Sequence, residues 1–195
     1  MPFKNDKRNC LLKLEEFDKS RKGDVDKHVR PIIEYLNSLD DYYTTSSCSG
    51  RIILLTVPKS NKKHEFEWLF CKHDTITFEE LKSTLPKAEL TNELVWLRME
   101  GPIIHVCCKT IDHANELLKI ARSVGFKRSG IITLDRRVIV ELESAVRADT
   151  MISINKKILV DDNYLQEFIP LLNQRLSGEF DRLKQLDQEI KKQIK

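Results

Sequence analysis

The sequence predicts an α/β fold in which a mixed sheet is flanked by helices and followed by a long C-terminal amphipathic helix. β-prone runs alternate along the chain with segments of helical periodicity, which indicates a mixed architecture. Apolar residues recur at helical spacing from position 163 onward. Neither GxGxxG nor GxxxxGK[ST] occurs in the sequence, so a Rossmann or P-loop fold is not indicated by motif.

Composition places the chain among globular proteins. It has 195 residues, of which 41% are hydrophobic and 32% are charged, enough for one ordinary domain with a buried core. We therefore expect a single domain over 1–195, with 163–195 as its C-terminal helix. No apolar run approaches the roughly 20 residues that cross a bilayer, and the first ten residues lack the apolar segment of a secretory signal. A cytoplasmic protein without a membrane partner is expected.

The net charge of +3 is unevenly distributed. Residues 1–22 carry seven Lys or Arg against four acidic residues, and residues 122–137 carry five against one. A polyanion responds to local potential, so both segments are candidate surfaces for nucleic acid. Ordinary solvated surface charge is the alternative for either segment.

The N-terminal region predicts two helices. Cys10, Leu14 and Phe17 share one face of the first, which ends before Ser20. The second carries Pro31 in its early turns and stops between Asn37 and Asp41. Its inward residues are Val29, Ile32, Ile33 and Leu36.

Several short strands follow. The runs 42–48 and 51–57 flank a Ser-Gly step, which is typical of a tight strand–turn–strand unit. A polar loop over 58–63 leads to a strand over 66–72, and a helix over 78–85 is expected to end at Pro86. Strands are predicted at 93–99, 103–109, 129–134 and 138–142, with a weaker one at 151–154. A helix between the strands at 103–109 and 129–134 is expected to end at Gly125. Pro170 is expected to kink the last helix.

The five cysteines form no CxxC pair and are odd in number, so reduced thiols are expected. Cys107 and Cys108 are adjacent in a strand, which directs them to opposite faces. We expect one of them in the core and the other nearer a surface. A second possibility is a zinc site, if the strands that carry Cys71-x-His73 and His105-x-Cys107 pair with each other.

The hydroxyl-rich run Thr44 to Ser49 is the most unusual feature of the sequence. Alternation places Thr45 and Ser47 on one strand face and Thr44, Ser46 and Cys48 on the other. Gly50 permits close backbone approach, and Arg51 adds a permanent cation with five donors. Ser47, Cys48, Gly50 and Arg51 therefore form a candidate anion site, with a plain polar turn as the alternative. Cys48 is also a candidate nucleophile.

His105 is the best general acid/base candidate because its pKa range brackets neutrality. A hydrogen-bonded core or rim histidine is the alternative. Glu100 precedes it closely enough to orient it or to bind a substrate. A second candidate anion site lies between a helix and a strand, where Lys127, Arg128, Ser129 and Gly130 follow Gly125.

Four segments carry a resemblance to a known family: 20–26, 43–52, 100–108 and 123–131. The second is specific, since Tyr43-Thr44-Thr45-Ser46-Ser47-Cys48-Ser49-Gly50-Arg51-Ile52 matches ten residues in order. On these segments, and over nearly its whole length, the chain resembles the tRNA wybutosine-synthesizing protein 3 family.

The resemblance implies an S-adenosylmethionine-dependent methyltransferase with a distinct α/β fold. It would methylate a ring nitrogen of the 4-demethylwyosine base beside the anticodon of phenylalanine tRNA. Under this hypothesis His105 assists proton transfer and no metal takes part. The cofactor-binding candidates are Ser47, Cys48, Gly50, Arg51, Ser129 and Gly130. The substrate-binding candidates are Lys22, Asp26, Glu100, Lys127 and Arg128. A non-catalytic tRNA-binding module of the same pathway is the alternative function, and the oligomeric state stays open.

Overall fold

The computed structural model describes residues 2–15, 25–58 and 66–195. In chain order the elements of this part are α1 (Pro2–Glu15), α2 (Arg30–Ser38), β1 (Tyr42–Cys48), β2 (Arg51–Val57), β3 (Trp68–Lys72), α3 (Phe78–Lys82), α4 (Leu85–Ala88), β4 (Leu94–Glu100), β5 (Ile103–Cys108), α5 (Ile111–Ser123), β6 (Gly130–Thr133), β7 (Val138–Glu143), β8 (Arg147–Ile154), β9 (Lys157–Ile158) and α6 (Asp162–Gln193). Lys22, Phe17 and most of the polar loop over 58–63 lie outside the described residues. None of the described helices combines the length and the apolar character that a membrane span needs.

The chain forms two compact units, each assembled from separated segments. Unit 1 comprises Met1–Ser49, Pro102–Ala145 and Phe180–Lys195, and unit 2 comprises Gly50–Gly101 and Val146–Glu179. Each unit holds one antiparallel sheet, with strand order β1-β5-β7-β6 in unit 1 and β3-β2-β4-β8-β9 in unit 2. The non-Rossmann α/β class is thus confirmed, and its strands divide into two sheets. A single domain over 1–195 stays a prediction.

Helices cover both faces of the sheet of unit 1 near the start of β1. Phe3 of α1 contacts Tyr43 at a ring distance of 5.2 Å, and Tyr42, on the opposite face, meets His113 of α5 edge to face. Cys108 and Cys107 are the cross-strand partners of these two tyrosines. Both thiols are therefore buried, each 1% exposed, and the expectation that one lies near the surface is wrong.

The C-terminal part of α6 packs into the core of unit 1. Phe180 stacks on His28 at a ring distance of 3.6 Å, and the Tyr35 hydroxyl donates to the Ile194 carbonyl at 2.6 Å. Leu183, Leu186 and Ile190 are fully buried, as expected for one apolar stripe. The predicted long amphipathic helix is confirmed and begins at Asp162, one residue earlier than predicted.

Unit 2 packs the first part of α6 in the same way. The Asn173 side chain accepts from the Ile76 amide at 2.9 Å and donates to the Ile76 carbonyl at 2.7 Å, which satisfies an irregular segment of backbone. In β4, every second residue is fully buried: Val95, Leu97 and Met99. This period of two is the alternation typical of a half-buried strand.

The predicted hairpin over 42–57 is wrong. β1 and β2 flank the Ser-Gly step but belong to different sheets, because β1 pairs with β5 while β2 pairs with β3 and β4. β4 and β5, on either side of Gly101 and Pro102, are separated in the same way. The zinc site fails for the same reason, since Cys71 lies in β3 of unit 2 and His105 lies in β5 of unit 1.

Smaller corrections concern the helix over 78–85 and the last strands. Thr77 closes a capping box with Glu80 and starts α3, which ends at Lys82. Pro86 does not end that helix but lies in the first turn of α4, where a missing N–H costs little. β8 is longer than predicted, and a short β9 follows a turn in which Asn155 and Lys156 have positive φ.

Candidate active site

A row of four residues crosses the sheet of unit 1 from edge to edge. Ser46 of β1 is opposite His105 of β5, His105 is opposite Glu141 of β7, and Glu141 is opposite Gly130 of β6. We call this set the histidine row. It brings together His105 and Gly130, which the sequence singles out, and adds Ser46 and Glu141, which it does not.

Both ring nitrogens of His105 have a partner in the row. Nδ1 lies 2.9 Å from Ser46 Oγ, and Nε2 lies 2.7 Å from Glu141 Oε2. His105 and Glu141 are about three-quarters buried, with side-chain exposures of 29% and 26%, and Ser46 is exposed. A carboxylate that accepts from imidazole fixes the orientation and the tautomer of the ring, so the row connects a hydroxyl, an imidazole and a carboxylate in one line. Glu141, not Glu100, orients His105.

A β-bulge at Thr45 decides which hydroxyl reaches the histidine. The register shifts between Thr44 and Ser46, so Thr45 is an extra residue and the strict alternation is interrupted. Thr44 and Ser46 consequently lie on opposite faces, which corrects the prediction that they share one. Ser46 and Cys48 do share a face, as predicted.

A second row lies beside the first on the same face. Cys48 is opposite Ile103, and Ile103 is opposite Glu143. The Arg128 guanidinium lies 3.9 Å from the Glu143 carboxylate. Cys48 and Arg128 thus occur one row from His105, while Ser47 is opposite Ile104 on the other face.

Ser129 has a structural contact. It is buried, its hydroxyl accepts from the Glu143 amide at 3.1 Å, and its carbonyl accepts from Arg122 at 2.7 Å. These bonds hold the start of β6 against the end of β7. Lys127 and Arg128, in the turn before them, are exposed.

Asp26 and Ser49 form a buried polar pair in unit 1. The Asp26 carboxylate accepts from the Ser49 amide at 2.8 Å, and the Asp26 carbonyl accepts from two amides at the start of α2. Ser49 is fully buried, and its hydroxyl has no hydrogen-bond partner among the described residues. A buried hydroxyl without a partner is costly, so Ser49 is a candidate contact for a bound polar group.

Arg51 and Glu100 are bound to each other in unit 2. They are opposite residues of β2 and β4, and the guanidinium contacts Glu100 Oε2 through Nε at 2.8 Å and Nη2 at 2.7 Å. The guanidinium also lies 4.4 Å from the ring centroid of Trp68. This cation–π contact and ion pair hold Arg51 in one orientation, with 24% of its side chain exposed.

Gly50 is required by its backbone geometry. Its φ is +93°, and a Cβ there would lie 3.0 Å from both the Glu100 carbonyl oxygen and a Leu176 methyl carbon. We expect Gly50→Ala to lower the free energy of unfolding by about 1–2 kcal/mol through the left-handed conformation alone, as measured by urea titration.

Gly178→Ala is the matched control for that substitution. A Cβ at this exposed helical position meets nothing within 4 Å, so the change is expected to stabilise the protein by about 0.5–1 kcal/mol. A Gly50→Ala protein that unfolds at the wild-type urea midpoint contradicts the steric explanation.

Comparison with known proteins gives one consistent family. A family model described as Methyltransferase TYW3 matches residues 5–192. The chain is 34% identical over 189 residues to the tRNA(Phe) 7-((3-amino-3-carboxypropyl)-4-demethylwyosine(37)-N(4))-methyltransferase 1 of Pyrococcus furiosus, covering 96% of this chain and 94% of that protein. It is 38% identical over 178 residues to the Methanocaldococcus jannaschii tRNA(Phe) 7-((3-amino-3-carboxypropyl)-4-demethylwyosine(37)-N(4))-methyltransferase, covering 90% of each.

A solved structure agrees with these sequence matches. The fold is similar to that of PH1069 protein from Pyrococcus horikoshii, with a TM-score of 0.88 and 33% identity, covering 97% of this chain and 96% of that one.

Proposed function

The chain belongs to the TYW3 methyltransferase family, and we propose that it methylates a ring nitrogen of the 4-demethylwyosine-type base beside the anticodon of phenylalanine tRNA, with S-adenosylmethionine as methyl donor. The observation that carries this proposal is the extent of the match, since residues 5–192 include nearly all of both units. The proposal includes a cytoplasmic location.

The described residues suit the proposed cofactor. S-adenosylmethionine carries a carboxylate, an ammonium group and ribose hydroxyls, and when bound it supplies an electrophilic methyl group. In unit 1, the buried Ser49 hydroxyl and the Asp26 carboxylate offer a donor and an acceptor. In unit 2, the Arg51 guanidinium offers further donors beside Gly50. We assign Ser47, Cys48, Ser49 and Gly130 of unit 1, and Gly50 and Arg51 of unit 2, to cofactor binding, while Asp26 stays a substrate-binding candidate that holds Ser49.

Ser49 joins this set because of its unsatisfied hydroxyl. Ser129 remains in it only through its backbone, since its hydroxyl already accepts from Glu143. The hydroxyl-rich run contains Ser49, but nothing in the sequence distinguishes it from its neighbours.

Proton removal is the task we assign to His105. A ring nitrogen that exchanges a hydrogen for a methyl group must lose a proton, and a positioned base contributes roughly 10²–10⁴-fold to such steps. Glu141 holds the imidazole at 2.7 Å, which favours the protonated ring that results.

We assign binding of the RNA backbone to exposed cationic side chains. Lys127 and Arg128 extend from the turn before β6, and Lys22 belongs to this proposed set although it lies outside the described residues. Asp26 and Glu100, also proposed for the substrate, are each held by a protein partner, Ser49 and Arg51. A modified base can be turned out of an anticodon loop and bound by its edge while the cations hold the phosphates.

Methyl transfer tests the proposal directly. Purified protein is mixed with methyl-labelled S-adenosylmethionine and tRNA that carries the demethylated tricyclic base, and label is expected in that tRNA alone. Unmodified tRNA of the same sequence is the control. Binding of tRNA that weakens steeply with salt, together with no transfer and no heat of cofactor binding, supports the alternative of a non-catalytic tRNA-binding module and refutes the proposal.

A further inference from the structure

The histidine row contains more hydrogen-bonded side chains than a single catalytic base needs. Ser46, His105 and Glu141 come from three different strands, yet their side chains form one continuous chain of contacts of 2.9 and 2.7 Å. Because both imidazole nitrogens are occupied within the protein, a substrate proton reaches His105 only through one of its two partners. Ser46 is the exposed end of this chain.

The chemistry of the partners fixes the direction of the contacts. An ionised carboxylate is an acceptor only, so Glu141 selects the neutral His105 tautomer that carries its proton on Nε2. Nδ1 then has a lone pair and accepts from the Ser46 hydroxyl. The Ser46 oxygen, having given its proton toward His105, is left with lone pairs for an N–H group outside the protein.

We propose that Ser46, His105 and Glu141 form a proton relay in which the Ser46 hydroxyl takes the proton released by the methylated ring nitrogen. The inference rests on the proposed function and adds two residues to it. Ser46 is the catalytic residue that touches the substrate, and Glu141 is a positioning residue that acts through His105.

The step balances as a substitution at nitrogen. The ring nitrogen gains a methyl group and loses its hydrogen as a proton, the N–H bonding pair stays on nitrogen, and the pair of the methyl–sulfur bond leaves with the donor's thioether. The proton passes to Ser46 Oγ while the Ser46 proton passes to His105 Nδ1. The resulting imidazolium is stabilised by the Glu141 carboxylate at 2.7 Å, and it returns the proton to solvent after the product leaves.

Space at the end of the row opposite Ser46 is consistent with the proposed assignment of Gly130 to cofactor binding. Gly130 is the cross-strand neighbour of Glu141, and a Cβ at this position would meet no described atom within 4 Å. The sheet surface is therefore open beside Glu141.

Two measurements test the relay: the single-turnover rate of methylation with enzyme in excess over tRNA, and the steady-state KM for tRNA. Ser46→Ala and Glu141→Gln are each expected to lower the rate between about tenfold and a hundredfold while KM for tRNA stays within about threefold of wild type. Ser46→Thr, which keeps a hydroxyl, is expected to restore most of the rate. Matched controls are Ser38→Ala and Glu167→Gln, at exposed helical positions outside the row, and both are expected to retain full activity.

A second experiment, which needs no substrate, tests this inference separately from the proposed function. Nitrogen-15 NMR of the imidazole is expected to show His105 with its proton on Nε2 in the wild type and an increased Nδ1-protonated fraction in Glu141→Gln. A wild-type His105 protonated on Nδ1 overturns the relay even if methylation occurs. Wild-type transfer that persists within twofold in both Ser46→Ala and Glu141→Gln also overturns it, whereas absence of transfer in the wild type counts against the proposed function alone.

Discussion

His105→Ala is expected to lower the single-turnover rate of methyl transfer by roughly 10²–10⁴-fold, the largest catalytic loss that we predict. The substitution removes the imidazole, the group of the histidine row that both accepts and donates a proton through its ring nitrogens. It also disconnects Ser46 from Glu141, whose link passes through the ring.

Stability and cofactor binding provide the controls for this prediction. His105 lies at the partly exposed face of β5, while its neighbours Ile104 and Val106 are fully buried on the other face. We therefore expect a small change in melting temperature and an unchanged heat of S-adenosylmethionine binding. Added imidazole, which replaces the lost base in the cavity left by Ala, is expected to restore part of the rate. Turnover within a few-fold of wild type refutes the role of His105.

The sequence predicts local elements well because their signals are local. The apolar spacing of Ile32, Ile33 and Leu36 fixes α2, and Gly125 marks the end of the helix that becomes α5, with the expected positive φ of +104°. In both cases the residues that determine the structure are within one or two turns of each other.

Strand pairing, unlike the position of a helix, is not determined by residues that are close together in the sequence. A Ser-Gly step between two β-prone runs favours a hairpin, yet at Ser49 to Gly50 the chain passes from one unit to the other, as it does again at Gly101 to Pro102. The partner of a strand is chosen by buried faces distant in sequence, so the turn residues alone do not reveal it.

The same limit explains which site residues the sequence supplies. His105 is recognisable by residue type, but Ser46 depends on a bulge that only the pairing of β1 with β5 reveals. Glu141 had a weak signal. In the run Val138 to Glu143, it alternates with the buried Val140 and Leu142, which places it on the polar face of a strand.

Alkaline pH is expected to lower the free energy of unfolding, because the Cys108 thiol ionises more readily in the unfolded chain than in the folded one. Burial raises the pKa of this thiol from an ordinary value of 9.0 to about 12, because the thiolate loses its hydration in the core. Burial also raises the pKa values of Cys107, Tyr42 and Tyr43. These four groups meet at one end of the sheet of unit 1.

The sign of the effect follows from proton release. Below pH 9 the Cys108 thiol is protonated in both the folded and the unfolded chain, and its contribution to stability is complete. Above pH 9 the unfolded chain loses this proton while the folded chain keeps it, so the free energy of unfolding falls as pH rises and continues to fall up to about pH 12. Between pH 8 and pH 10.5 the loss from this one thiol amounts to about 2 kcal/mol.

Cys108→Ala isolates that contribution from the other titrating groups. Urea unfolding of wild type and variant at pH 8 and pH 10.5, with reductant present, is expected to show a stability difference that shrinks by about 2 kcal/mol at the higher pH, since the tyrosines and Cys107 titrate in both proteins and cancel. Val106→Ala is the matched control, because Val106 is a fully buried neighbour on the same strand face that carries no titratable group. Its cost comes from a cavity alone and is expected to be the same at both pH values. A Cys108→Ala difference that is equally independent of pH would show that the thiol ionises as readily in the folded chain as in the unfolded one, in contradiction to its burial.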